Sequence, residues 1–168
     1  MIGTHDQKSL PNTSQTNFAK TKALLKKRKE MAPQTYTGSC HCALITFTAT
    51  LDLSAPNATG KCNCSMCSKT RAWEVTIKPA DFSLSGDSEA HLRDYMFASR
   101  QVHHLFCERC GCRPFGRGDL PGWLGEFVSV NVACLDGVSD EVLAALGVVF
   151  RNGRDDRWGE EPRVKTHL

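Results

Sequence analysis

At 168 residues, 40% apolar and 23% charged, the chain has the size and composition of one globular domain with room for a tail. No apolar run approaches the length of a membrane span, and a formal net charge of +3, which counts every thiol as neutral, is only mildly basic. The outlying figure is nine cysteines, an odd number that cannot all pair into disulfides.

The N-terminal stretch MIGTHDQKSLPNTSQTN lacks the charged-then-apolar order of a secretory signal. A cytoplasmic location is therefore expected, where thiols stay reduced and closely spaced cysteines bind metal or do chemistry. Residues 1–35 read as a disordered or partly helical basic tail. Its run Lys26, Lys27, Arg28 and Lys29 is a candidate nuclear-import signal, or a contact for tubulin, nucleic acid or chromatin. Pro33 marks a boundary, and the folded part is expected to begin near Tyr36 and run to residue 160, with 161–168 as a C-terminal tail.

From there the pattern reads as strands. ALITFTATL alternates, with Ala43, Ile45, Phe47, Ala49 and Leu51 on one face and mostly threonines on the other. AWEVTIKP, FSLSG and HLRDYMFA are shorter strand candidates, and FVSVNVACL repeats the alternation through Val128, Val130 and Val132. EVLAALGVV alone reads as helical, with Gly147 and two valines following at once. The expected fold is a mainly β domain of antiparallel strands with metal-bearing turns between them.

Seven cysteines fall into three groups: Cys40 and Cys42, then Cys62, Cys64 and Cys67, then Cys107 and Cys110. A C-x-x-C step suits a tight turn whose thiolates converge on one ion. A C-x-C step suits an extended segment, where positions i and i+2 point to one side. The triplet can close on one ion by itself, and the two pairs together supply four ligands. That gives one saturated four-cysteine site and one three-cysteine site with a position open to an exchangeable ligand. His41, His103 or His104 is an alternative fourth ligand that would close the second site. Metallation by two Zn²⁺ through seven thiolates takes the formal charge from +3 to zero. Cys112 reads as an exchangeable ligand or a reactive thiol, and Cys134 as a small core residue.

The segments GSCHCALITF, KCNCSMCSK, FCERCGCRPFGR and VNVACLDGV resemble the family of glutathione-dependent formaldehyde-activating enzymes. The CNCSMC and NVACLD wording, with the tail RNGRDDRWGE, is most similar to the branch that includes centromere protein V. The likeness spans about residues 36–160. It implies an Mss4-like fold of small antiparallel sheets around two zinc ions. It also implies that Cys40, Cys42, Cys107 and Cys110 are structural ligands and Cys62, Cys64 and Cys67 catalytic ones. The implied reaction joins formaldehyde to glutathione, giving S-hydroxymethylglutathione by carbon–sulfur lyase chemistry. The chain departs from the family wording at Cys112 and in the loop GRGDLPGWLGEF.

For that chemistry, His103, His104 and Glu74 are the candidates for proton transfer. Arg113 and Arg117, just beyond the second cysteine pair, are candidates to hold a substrate carboxylate. Trp73 either walls the pocket or belongs to the core.

Overall fold

The computed structural model describes residues 33–168, so the basic run at 26–29 lies outside the described residues. Ten strands and two short helices are described: β1 (Gln34–Ser39), β2 (Thr46–Leu51), β3 (Thr59–Cys62), α1 (Ser65–Thr70), β4 (Trp73–Ile77), β5 (Phe82–Leu84), β6 (Leu92–Tyr95), β7 (Val102–Cys107), β8 (Phe115–Leu120), β9 (Gly125–Asn131), α2 (Asp140–Ala145) and β10 (Val148–Arg151). They form a three-stranded sheet, β1-β2-β5, and a seven-stranded sheet, β10-β3-β4-β9-β8-β7-β6. Every named pairing is antiparallel except β10 with β3, which is parallel. The mainly β, Mss4-like architecture expected from the sequence is the one observed.

The two sheets close over one core. Ile45 and, from β2, Phe47, Ala49 and Leu51 meet Val75 of β4, Leu105 of β7, Phe115 of β8, and Val128 and Val130 of β9. The rings of Phe47, Phe82 and Phe115 contact one another across the gap, with centroids 4.6–6.2 Å apart. Burial of this set is the main force holding the sheets together. The alternation of β9 decides what the far face carries. Val128 and Val130 point into the core, so Phe127 and Ser129 point to the other side of the sheet.

The sequence reading differs from the structure at several edges. The alternating run from Ala43 begins as a turn, because Ala43 takes φ +57° and donates its N–H to the Cys40 carbonyl at 2.9 Å. Strand β2 starts only at Thr46. Val132–Cys134 leaves the sheet as a 3-10 turn, capped by the Asn131 side chain accepting from the Ala133 N–H. The helical stretch ends at Ala145, and the valines after Gly147 enter β10. The sequence reading has no strand at β1, β3, β7, β8 or β10. In β8 the obstacle is FGRGDL, whose glycines lower strand propensity. They are required by close approach: a Cβ at Gly116 would lie 2.9 Å from the His103 carbonyl, and one at Gly118 would lie 2.6 Å from that of Gln101.

Candidate metal centres and the cavity beside them

Two groups of cysteines converge. In each, the Sγ atoms lie within 4.8 Å of one another: Cys40, Cys42, Cys107 and Cys110 in one, Cys62, Cys64 and Cys67 in the other. Neighbouring sulfurs of the first group are 3.7 Å apart, far outside disulfide bonding. No histidine among the described residues joins either group at that range. Soft sulfur donors converging in threes and fours fit a thiophilic ion such as zinc.

The four-sulfur group is assembled by two turns. Cys40 follows β1, and Cys42 sits in the turn closed by the Cys40 N–H bond to the Ile45 carbonyl at 3.0 Å. Cys107 ends β7, and Cys110 sits in a turn held by Gly111 N–H to Cys107 O and Cys107 N–H to Cys112 O, both 2.9 Å. Gly111 takes φ +69° there, which glycine adopts without strain. Burial alone would raise the Cys110 thiol, but backbone N–H groups of Cys112 and Cys42 and the thiols of Cys107 and Cys42 bring it down to about 6. Cys112 lies outside the group. Its Sγ is 3.5 Å from that of Cys134, which is buried in the core.

The triplet is local. Cys62 ends β3, Cys64 is the N-cap of α1, and Cys67 lies in its first turn. The Cys64 N–H points to Cys62 Sγ at 3.3 Å, and the Cys67 N–H to Cys64 Sγ at 3.4 Å. The thiols of Cys62 and Cys67, with the N–H groups of Cys67 and Met66, pull Cys64 down to about 2. Hydrogen bonding to the other two sulfurs pushes Cys67 up. Hydrogen bonds from its neighbours thus favour deprotonation of one of the three sulfurs.

A C-terminal loop braces this group. The Asn63 amide donates to Asn152 Oδ1 at 2.7 Å, and the Arg154 N–H donates back to Asn63 Oδ1 at 2.8 Å. Between them, a Cβ on Gly153 would lie 2.7 Å from Cys62 Sγ and 2.6 Å from the Trp158 ring, so only glycine fits. The end of the chain packs back on the same region, with Lys61 Nζ donating to the Leu168 carbonyl at 2.9 Å.

Beside the triplet lies a cavity of about 570 Å³, lined by Cys62, Cys64, Cys67, Glu74, His104 and Arg113 among others. Glu74 and Arg113 form an ion pair with side chains only 21% and 11% exposed. Burial raises the Glu74 carboxyl, Arg113 opposes it, and the Cys64 thiolate adds to the rise. The His104 ring packs against Phe97, with centroids 5.3 Å apart, and makes no hydrogen bond among the described residues. Burial and the Arg113 charge lower its pKa.

Of the sequence candidates, Glu74, His104 and Arg113 are brought together here. His103 and Arg117 are not. They alternate to the opposite face, where they line a second cavity of about 670 Å³. His103 pairs there with Asp94 at 2.6 Å and Arg117 with Glu89 at 3.0 Å. Trp73 does not line the triplet cavity; its indole N–H donates to Thr59 Oγ1 at 2.7 Å, and it packs on the core. Sequence reasoning missed Phe97, Trp123, Trp158 and Arg151, all of which line the cavity. The available signals were the unusual loop GRGDLPGWLGEF, which carries Trp123, and the tail RNGRDDRWGE, which carries Arg151 and Trp158.

Two cysteine groups able to hold a metal ion, one of them beside a cavity, in a small two-sheet β domain define the class of protein. The chain belongs to the glutathione-dependent formaldehyde-activating enzyme family, whose model matches residues 35–149. Its structure is similar to the crystal structure of a Rhodobacter sphaeroides protein solved as a structural genomics target. The two share 27% identity and a TM-score of 0.56, over 67% of this chain and 99% of that one. No functionally curated protein matches the chain significantly. Among the described residues no helix is long and apolar enough to cross a membrane.

Proposed function

We propose that the protein is a zinc-dependent carbon–sulfur lyase acting on adducts of an aldehyde with a thiol such as glutathione. Family membership supports glutathione and formaldehyde chemistry. The unequal cysteine groups support a division of labour within residues 36–160. Cys40, Cys42, Cys107 and Cys110 would hold a structural zinc, and Cys62, Cys64 and Cys67 the catalytic one. The observation that carries the reading is positional. All three residues of the triplet line the wall of a cavity, whereas none of the four lines either cavity described. Cys62, Cys64 and Cys67 would hold the ion, which would supply the positive charge that keeps a substrate thiol deprotonated near neutral pH.

The chain's own residues handle the proton. Thiol addition to an aldehyde forms one C–S bond and moves the S–H proton to the carbonyl oxygen, with no change in oxidation state. His104 stays neutral near pH 7 because burial and Arg113 disfavour its cation, so a ring nitrogen is available to take and return that proton. Glu74 is the second candidate, since burial moves its carboxyl toward the range useful for transfer. Arg113, held by Glu74 and by Thr70 Oγ1 at 3.2 Å, positions Glu74. His103 and Arg117 have no part in this reading.

Metal content and calorimetry test it. The wild-type protein is expected to carry two zinc ions per chain and to bind glutathione. Cys64→Ser should carry about one and lose both binding and adduct formation. Equal glutathione binding by the two proteins would remove the mechanism.

A further inference from the structure

The triplet cavity is larger and more aromatic than formaldehyde requires. Among the described residues, the exposed large apolar side chains are Tyr95, Phe97, Trp123, Trp158 and Val164. Phe97, Trp123 and Trp158 all line this one cavity, and Tyr95 stacks on Phe97 with centroids 6.0 Å apart and planes 18° from parallel. They come from three separate segments: the loop after β6, the β8–β9 hairpin and the C-terminal loop. Trp123 and Trp158 meet at 5.5 Å between centroids. Trp123 is 55% exposed within this cluster, and exposed apolar side chains gathered into one patch mark a ligand-binding surface.

The charges of the cavity point the same way. Arg113 is committed to Glu74, and Lys61 donates to the Leu168 carbonyl. Arg151 is the lining cation whose side chain has no hydrogen bond or ion pair among the described residues. One uncommitted cation and an aromatic rim suit a ligand that brings a carboxylate, as the glutathione moiety does, together with a large apolar portion. Formaldehyde contributes a single carbon and would leave the rim untouched.

We infer that the carbonyl partner is an aromatic or bulky apolar aldehyde, seated against Phe97, Trp123 and Trp158 while its thiol adduct reaches the cysteine triplet. The inference rests on the lyase reading above and specifies its substrate. The adduct forms by S–C bond formation, with the thiol proton passing to the aldehyde oxygen. Cleavage is the reverse, so no oxidant or reductant is consumed.

The test separates the two readings by using unreactive ligands alongside substrates. Binding of S-benzylglutathione and S-methylglutathione to the zinc-loaded full chain would be measured by calorimetry and by tryptophan fluorescence. The benzyl compound is expected to bind about tenfold more tightly and to quench the fluorescence. Trp123→Ala should narrow that preference and Trp123→Phe should restore it, with zinc content confirming that both variants fold. In turnover with glutathione, benzaldehyde should exceed formaldehyde in kcat/KM by a similar factor. Equal binding of the two thioethers, or a preference untouched by Trp123→Ala, would overturn the inference even if formaldehyde is consumed. Preferential benzyl binding with neither aldehyde turned over would keep the ligand class and sink the lyase reading.

Discussion

Glu74 shows how a single residue ties the fold to the site. Its carboxylate is largely buried and has Arg113 as its partner. Removing the guanidinium leaves an uncompensated buried charge, which typically costs about 3 kcal/mol. Arg113→Met should therefore destabilise the protein by roughly that amount in urea unfolding at pH 7, and should raise the Glu74 pKa further because its one favourable charge is gone. His104 gives the pH dependence. Its folded pKa lies below the ordinary 6.5, so as pH falls past 6.5 the unfolded chain takes up the proton first. Its contribution is intact above that value and is lost as pH drops toward the folded pKa. A stability–pH curve for His104→Gln should fall less steeply over this window than wild type. The adjacent His103 and His104 are indistinguishable in the sequence, because β7 does not read as a strand there. Once it is one, neighbouring side chains must diverge, and only His104 reaches the cavity.

At the scale of elements, the loop and strand at the C-terminal end matter more than their short lengths suggest. Strand β10 pairs in parallel with β3, whose last residue is the first cysteine of the triplet. A Cβ on Gly147 would lie 1.8 Å from the Pro56 carbonyl oxygen, so Gly147→Ala must displace the start of β10. A loss of about 1–3 kcal/mol in thermal or urea unfolding is expected, as for other overpacked positions. Gly153→Ala acts more narrowly, pressing on Cys62 Sγ and the Trp158 ring. It should lower zinc content from two toward one per chain while the circular dichroism of the β fold persists. The strands with strong alternation, β2 and β9, were legible because their valines and phenylalanine face one core. Strands β8 and β10 were not, because glycine spacing there answers to contacts with distant backbone.

For the molecule as a whole, the four-cysteine group is placed to act as a clamp once a metal ion is bound. Cys42 and Cys107 are 65 positions apart, yet their sulfurs are 3.7 Å apart. Tying the β1–β2 turn to the β7–β8 turn joins the small sheet to the large one. Cys110→Ser should therefore lower the unfolding temperature and make it sensitive to chelators, whereas Cys64→Ser should leave the midpoint close to wild type. Circular dichroism melts with and without chelator would check this, and equal sensitivity of the two variants would contradict the division of roles.

The amino-acid sequence alone determined the β character of the domain, its family, and which seven cysteines form the two groups. The β character is carried by period-two alternation and the triplet by spacing within a few residues. The joining of the two distant pairs follows from ligand count, since the triplet closes on one ion by itself and four cysteines are left. Tertiary structure decided which histidine and arginine stand beside the triplet, because sheet facing sorts them. It also decided that the aromatic rim exists at all, since Phe97, Trp123 and Trp158 become neighbours only when three distant segments are folded onto one face.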